Sequence, residues 1–262
     1  MKRLDAYIAE HGLAQSREKA KKLIIDGNVK VNGIVVNKPS VSVEGTENIE
    51  VTSYDRYVGR GAYKLLGAFE NFGISVDGLV CADIGASTGG FTQVMLENNA
   101  KKVYAVDVGH GQLASILVND DRVINCEGVN VRDLPSDFFE DDVMFAACDV
   151  SFISLSLILP ALYNSISGSA RVVVLIKPQF EAGRSAVDKH GIVKDRKAHI
   201  NVLESMCAVF AKIGFSVSGL TYSPISGGDG NIEYLALLDK KKSTAKSFIL
   251  KKIVDEAFDK LR

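Results

Sequence analysis

The sequence contains no tryptophan, and cysteine, histidine and proline are all scarce. Its cysteines, Cys81, Cys126, Cys148 and Cys207, form no C-x-x-C pair, which argues against a disulfide framework. Their apolar, strand-like settings predict buried free thiols in a reducing compartment. The histidines, His11, His110, His190 and His199, have no mutual spacing suited to a metal, so none is predicted, and His199 reads as a polar helix or loop residue. Long apolar runs are missing as well. The most apolar stretch, residues 152–162, is too short to span a bilayer and is interrupted by Ser154 and Ser156, with Pro160 near its end. Met1-Lys2-Arg3-Leu4-Asp5 lacks the apolar core of a secretory leader. Stable membrane insertion and secretion therefore have no basis in the sequence, and a cytoplasmic location is expected. An excess of one charge is lacking too. Lys and Arg number 31 against 32 Asp and Glu, so any site for a polyanion must be local.

What is present is an ordinary globular composition, 47% hydrophobic and 24% charged, which leaves disorder little room. A chain of 262 residues can hold one large α/β domain and a small accessory one. Leu4, Ile8 and Ala9 recur at helical spacing until Gly12, and a second helix can start at Ser16, with Lys19 where a capping-box Glu would sit. After Asp26-Gly27, the alternation of Val29 and Val31, then Asn32-Gly33, then Ile34 to Val36 predicts a hairpin in a module that ends near Val51. Across residues 16–22, Arg17, Lys19, Lys21 and Lys22 face Glu18 alone, a surface able to meet phosphates. Taken by itself, such a run reads as a solvated helix face.

The tyrosine-rich joint Ser53-Tyr54-Asp55-Arg56-Tyr57 sets a boundary near residue 55, giving domains 1–55 and 56–262. Beyond it, strand-like segments at 80–84, 103–108, 123–125, 144–150, 171–176, 215–222 and 233–238 alternate with helix-like segments at 91–98, 112–117, 153–163 and 199–213. This alternation predicts an α/β fold with a mostly parallel sheet covered on both faces, with room for an antiparallel strand at its close. Lys240-Lys241-Lys242 and residues 248–261 predict a terminal amphipathic helix packed on the sheet.

The strongest local signal is Cys81-Ala82-Asp83-Ile84-Gly85-Ala86-Ser87-Thr88-Gly89-Gly90-Phe91-Thr92, a strand that opens through glycines into a helix. Its spacing is neither G-x-G-x-x-G nor a P-loop, which favours a different nucleoside-bearing cofactor. Asp107 closes the next strand about 20 residues later, where a carboxylate can accept from both ribose hydroxyls of a nucleoside. Alone, it would read as a turn or cap residue. Asp149 and Lys177 each follow a hydrophobic strand, and such strand ends collect at the crevice of a doubly wound sheet.

The D-x-G-x-S-x-G-G-F-T run at 83–92, with Asp107-Val108-Gly109-His110-Gly111-Gln112-Leu113, resembles the TlyA family, haemolysin-named proteins that belong with the FtsJ-like rRNA 2′-O-methyltransferases. The resemblance extends over nearly the whole chain. It implies a Rossmann-like, S-adenosylmethionine (SAM)-dependent methyltransferase domain behind a small α+β S4-like RNA-binding domain. It also implies a Lys-Asp-Lys-Glu tetrad, matched by Lys64 in Gly61-Ala62-Tyr63-Lys64-Leu65, Asp149 in Cys148-Asp149-Val150-Ser151-Phe152, Lys177 in Leu175-Ile176-Lys177-Pro178-Gln179 and Glu233 in Gly230-Asn231-Ile232-Glu233-Tyr234. Lys177 is then the base that takes a proton from the ribose hydroxyl, while Asp149 and Glu233 orient the lysines.

For SAM, the resemblance implies Gly89 and Phe91 at the cofactor turn with Asp83, Gly85, Ser87 and Gly90, Asp107 at the ribose and Asp149 near the methionine portion. Two departures stand out. Asn130 occupies the place of an acidic residue for the adenine amino group, with Asp133 as its rival, and Phe91 replaces a common Trp. The missing Asn/Asp-Pro-Pro-Tyr motif favours an oxygen acceptor over an amino group. The implied substrate is a cytidine in 16S or 23S rRNA, as free rRNA or ribosomal subunits, held by Arg3, Arg17, Lys19, Lys21 and Lys22, with Arg60 in the larger domain. Two rival classes are a membrane-lytic protein, for which only residues 248–261 offer an amphipathic segment, and a non-catalytic RNA-binding protein.

Overall fold

Leu4 and Ile8 fall on one face of the first helix, and that face starts the core of the N-terminal part. In the computed structural model, residues 1–14, 16–25, 27–51, 57–227, 230–241 and 247–261 are described. They divide into two compact units, Met1–Arg56 and Tyr57–Arg262. The boundary read near residue 55 and most of the tyrosine-rich joint lie at 52–56, outside the described residues, as do Asp26 and Lys242.

In the first unit, β1 (Lys2–Arg3) leads into α1 (Leu4–Glu10), which is followed by Gly12 at φ +70°. The helix α2 (Arg17–Ile25) begins after Ser16, whose Oγ accepts from the Lys19 amide at 3.2 Å, as a capping residue does. The hairpin of β2 (Val29–Val31) and β3 (Ile34–Val35) turns through Asn32 at φ +50° and Gly33 at φ +79°. Both residues occupy the left-handed region that a tight hairpin turn requires. β4 (Ser42–Val43) pairs with β1, and β5 (Ile49–Val51) pairs with β2. β1 and β4 are too short to show hydrophobic alternation. Leu4, Ile8, Ala20, Ile24, Val29, Val43 and Val51 form the core.

The second unit starts with α3 (Ala62–Phe72), β6 (Val80–Ile84), α4 (Gly90–Glu97), β7 (Lys102–Asp107), α5 (Ser115–Val118), β8 (Val123–Glu127) and β9 (Phe145–Cys148). It continues with α6 (Leu155–Ser165), β10 (Arg171–Ile176), α7 (Pro178–Glu181), α8 (Arg196–Ile213), β11 (Ser216–Tyr222), β12 (Tyr234–Asp239) and α9 (Leu250–Leu261). The sheet runs β11-β12-β10-β9-β6-β7-β8. β6 to β10 are mutually parallel where they pair, while β12 lies antiparallel between β10 and β11.

β10 shows why the sheet is covered on both sides. Val172, Val174 and Ile176 join one core with residues of α6, α8 and α9, while Val173 and Leu175 join the other with α3, α4 and α5. The helix expected over 112–117 is a single turn beginning at Ser115. Glu127 Oε1 takes the amides of Gln112 at 2.6 Å and Leu113 at 3.0 Å, removing them from a helical ladder. Of the expected buried thiols, Cys81 and Cys148 are buried in central strands, whereas Cys126, on the edge strand β8, and Cys207, on the flank of α8, are half-buried. His199 is fully buried in α8, with Nδ1 2.8 Å from the Tyr234 hydroxyl and Nε2 3.0 Å from the Val193 carbonyl. Val254, Ala257 and Phe258 of α9 are buried, and Arg196 of α8 pairs with Asp255 and Asp259 at 2.7 and 2.9 Å. Among the described residues no helix is long and apolar enough to cross a membrane.

Candidate active site

β6 and β9 lie side by side, and the chain winds outward from β6 toward β8 and from β9 toward β10. The order of strands reverses between them, so a crevice opens at their carboxyl ends. Gly85 follows β6 at φ +83°, and a Cβ there would stand 2.6 Å from the Asp149 carbonyl oxygen. Both the left-handed conformation and the close backbone demand glycine. Gly89 has φ +93°, and a side chain there would run into Leu113 and Leu117; Gly90 packs against the backbone of Gly59 and Ala62. Ser87 accepts φ +48° without being glycine.

Asp83, buried in β6, accepts at Oδ2 from the Thr92 amide at 2.8 Å and the Thr92 hydroxyl at 2.7 Å, tying the strand to α4. Its Oδ1 is buried with no hydrogen-bond partner among the described residues. Burial pushes the Asp83 carboxyl up to about 7, against the opposing pull of the Thr92 bonds.

Asp107 ends β7 with each oxygen already oriented. Oδ2 accepts from the Ser87 amide and Oδ1 from the Gly109 amide, both at 2.8 Å. It lines a cavity of about 570 Å³ with Ser87, Gln112, Val129, Asn130 and Val150. Asn130 Oδ1 accepts from the Arg132 amide at 3.1 Å. Asp133 is exposed and does not line this cavity.

A second cavity of about 600 Å³ shares Gly85, Ser87, Asp149, Ser151 and Phe152 with the first. Lys64 from α3, Asp149 after β9, Lys177 after β10 and Glu233 before β12 all line it, as do Asp83, Gly90, Phe91 and Arg60. Lys64 Nζ lies 2.6 Å from Glu233 Oε2 and 3.6 Å from Asp149 Oδ2. Lys177 Nζ lies 2.6 Å from Asp149 Oδ1 and donates to Ser151 Oγ at 2.8 Å. Both lysines and Glu233 are buried. Charges of opposite sign alternate along this run, and desolvating Lys64, Lys177 and Glu233 gains the fold little, which makes the cavity a candidate for chemistry.

Several neighbours carried no signal of their own in the sequence. Ser151 follows Asp149 closely along the chain, but an uncharged serine shows no partner until the fold supplies Lys177. Phe152 holds φ +64° and is 91% exposed, with its ring 5.2 Å from that of Phe180. Glu181 accepts from the Leu155 amide at 2.9 Å and the Ser154 hydroxyl at 2.6 Å, joining α7 to the start of α6.

The basic residues of the first unit are not all free surface charges. Lys21 and Lys22 are exposed and Lys19 is half-buried. Arg3 and Arg17 both pair with the buried Asp5, at 3.1 and 3.3 Å.

The FtsJ-like methyltransferase family matches residues 57–240 and the S4 domain family matches residues 2–49. The chain is 45% identical over 235 residues to Hemolysin A of Brachyspira hyodysenteriae, covering 89% of this chain and 98% of that protein. It is 41% identical over 247 residues to the 16S/23S rRNA (cytidine-2′-O)-methyltransferase TlyA of Mycobacterium tuberculosis, covering 94% and 92%. A solved protein of Streptococcus thermophilus with a provisional hemolysin name is 45% identical, with a TM-score of 0.79 over 99% of this chain and 96% of its own. This chain belongs to the FtsJ-like methyltransferase family, within the TlyA group that carries an S4 domain at its N-terminus.

Proposed function

We propose that this enzyme transfers a methyl group from SAM to the 2′-OH of a cytidine ribose in 16S or 23S rRNA. The observation that carries the reading is the largely buried run of ion pairs Glu233–Lys64–Asp149–Lys177, lining a cavity that shares five residues with the Asp107 crevice. The residues fit SAM. Gly85 leaves backbone free for close approach, Asp107 keeps lone pairs for a ribose diol, and Asp83 Oδ1 is a buried acceptor without a partner, suited to an ammonium. Asn130 lines the same cavity as Asp107, and its side-chain oxygen is the acceptor we assign to an adenine amine. When bound, SAM supplies an electrophilic methyl on a sulfonium.

Lys177 Nζ is the group that takes the 2′-OH proton, and Asp149 holds that nitrogen at ion-pair distance. Ser151 fixes the same nitrogen from a second direction, and Glu233 keeps Lys64 beside Asp149. The S4 unit, of about residues 1–55, holds rRNA or ribosomal subunits through Arg3, Arg17, Lys19, Lys21 and Lys22, with Arg60 at the catalytic cavity of the unit at 56–262. A ribosomal substrate makes the cytoplasm its place of work.

The test uses labelled SAM and ribosomal subunits from a strain lacking the activity, followed by mapping of 2′-O-methylation. One modified cytidine is expected. Lys177→Ala and Lys64→Ala are expected to lower the rate by about 10²- to 10⁴-fold with SAM affinity by calorimetry unchanged. A rate near wild type in both would sink the roles assigned to them.

A further inference from the structure

Among the described residues of the first unit, Asp5 is the only charged side chain that is fully buried. Burying a carboxylate carries a large desolvation cost, recovered only through several good partners. Its partners come from three places. Oδ1 accepts from the Ala6 amide at 2.9 Å and Arg3 Nε at 3.1 Å, while Oδ2 accepts from Arg3 Nη2 at 3.1 Å and Arg17 Nε at 3.3 Å. Arg3 closes β1 and Arg17 opens α2, so one carboxylate gathers guanidiniums from two separate elements. Arg3 above all, and then Arg17, hold the Asp5 carboxyl down to about 2.

Both arginine side chains stay about half exposed, at 47% and 52%. Their inner nitrogens face Asp5. Nη1 of Arg3 and both Nη atoms of Arg17 have no hydrogen-bond partner among the described residues. Two guanidiniums sharing an oxygen repel one another, and the buried carboxylate offsets that repulsion while leaving the group one net positive charge.

We infer that Asp5 is a positioning residue that holds Arg3 and Arg17 as a preformed clamp for one backbone phosphate of the RNA. This rests on the reading that the S4 unit binds RNA. The clamp spares binding the loss of freedom of two long side chains, and guanidinium forks suit a phosphate oxyanion.

Asp5→Asn separates positioning from charge because the two give opposite signs. Removing a negative charge from a polyanion site tightens binding if net charge alone matters. Loss of the clamp weakens it. Full-length protein is titrated with deproteinised rRNA from the strain lacking the activity, by filter binding from 50 to 200 mM KCl. Asp5→Asn is expected to bind about tenfold more weakly, with SAM affinity unchanged. In an Arg3→Ala background it is expected to add little further loss, since a shared clamp is non-additive. Arg3→Lys and Arg17→Lys keep the charge and lose the fork, so each is expected to weaken binding severalfold. They decide the matter if Asp5→Asn fails to fold by circular dichroism.

Equal or tighter binding by folded Asp5→Asn, or wild-type binding by both lysine variants, overturns the clamp. Unchanged binding in Arg3→Ala with Arg17→Ala would instead reject the RNA role of the unit, and the clamp with it.

Discussion

At the scale of single residues, the buried carboxyl of Asp83 predicts a pH dependence of stability. Its carboxyl stands near 7 in the folded chain against an ordinary value of 3.8. From about pH 4 to about pH 7 the folded state therefore holds a proton that the unfolded state has released, and stability falls as pH rises through that window. The contribution is on the order of a few kcal/mol. Asp83→Asn keeps an acceptor for Thr92 and removes the titration. Urea unfolding of the cofactor-free protein at pH 4.5, 5.5, 6.5 and 7.5 is expected to show a declining wild-type curve and a flatter variant curve. Parallel curves would rule Asp83 out as the source. SAM affinity is expected to rise with pH over the same range, because an ionised Asp83 attracts an ammonium.

At the scale of elements, the crevice depends on how strand ends are tied to helix starts. Gly85 joins β6 to the cofactor turn where the Asp149 carbonyl leaves no space. Gly85→Ala is expected to cost about 2 to 4 kcal/mol, from the left-handed backbone and the clash together, and to abolish SAM binding in calorimetry. Glu181 makes a comparable tie between α7, which follows Lys177, and the turn that carries Ser151 and Phe152. Glu181→Ala is expected to lower kcat by roughly 10- to 100-fold with much less change in SAM affinity, and Glu181→Gln to recover part of it. Equal losses in kcat and SAM affinity would show that Glu181 supports the fold in general. α9 is the amphipathic segment on which a membrane-lytic reading depends. Its apolar residues Val254, Ala257 and Phe258 are buried, and Arg196 clasps its acidic side, so that face is already used.

At the scale of the whole molecule, the small unit is itself close to neutral, with nine Lys and Arg against eight Asp and Glu over residues 1–56, so the proposed contact with rRNA rests on a local cluster of cations rather than on the charge of the unit. Arg17, Lys21 and Lys22 changed together to Ala are expected to weaken rRNA binding and flatten its salt dependence by roughly 0.7 to 0.9 for each phosphate no longer neutralised. SAM affinity is expected to stay at the wild-type value. Filter binding across a salt series checks the first point and calorimetry the second, and an unchanged salt slope would remove that helix from the RNA interface.

Local order decided what could be read from the sequence alone. Strands such as β6 and β10 are short, mostly apolar segments bounded by turn residues, and the Asn32-Gly33 turn and the Ser16 cap act through neighbours a few residues away, so their positions were legible. The glycine turn and Asp107 were legible for the same reason, since a strand, a turn and a strand end lie within about 25 residues. The tetrad was different, because its residues were assigned through a family resemblance, and their spacing along the chain does not bring them together. Only the reversal of strand order between β6 and β9, with β12 inserted antiparallel beside β10, delivers Lys64, Asp149, Lys177 and Glu233 to one cavity. Ser151, Glu181 and the Asp5 clamp depended on tertiary structure throughout, for a hydrogen bond between distant segments leaves no periodic trace in sequence. The sequence by itself determined the central strands of the sheet, the longer helices and the glycine turn; tertiary packing decided the short elements and which charges meet, because burial and pairing are properties of the folded chain.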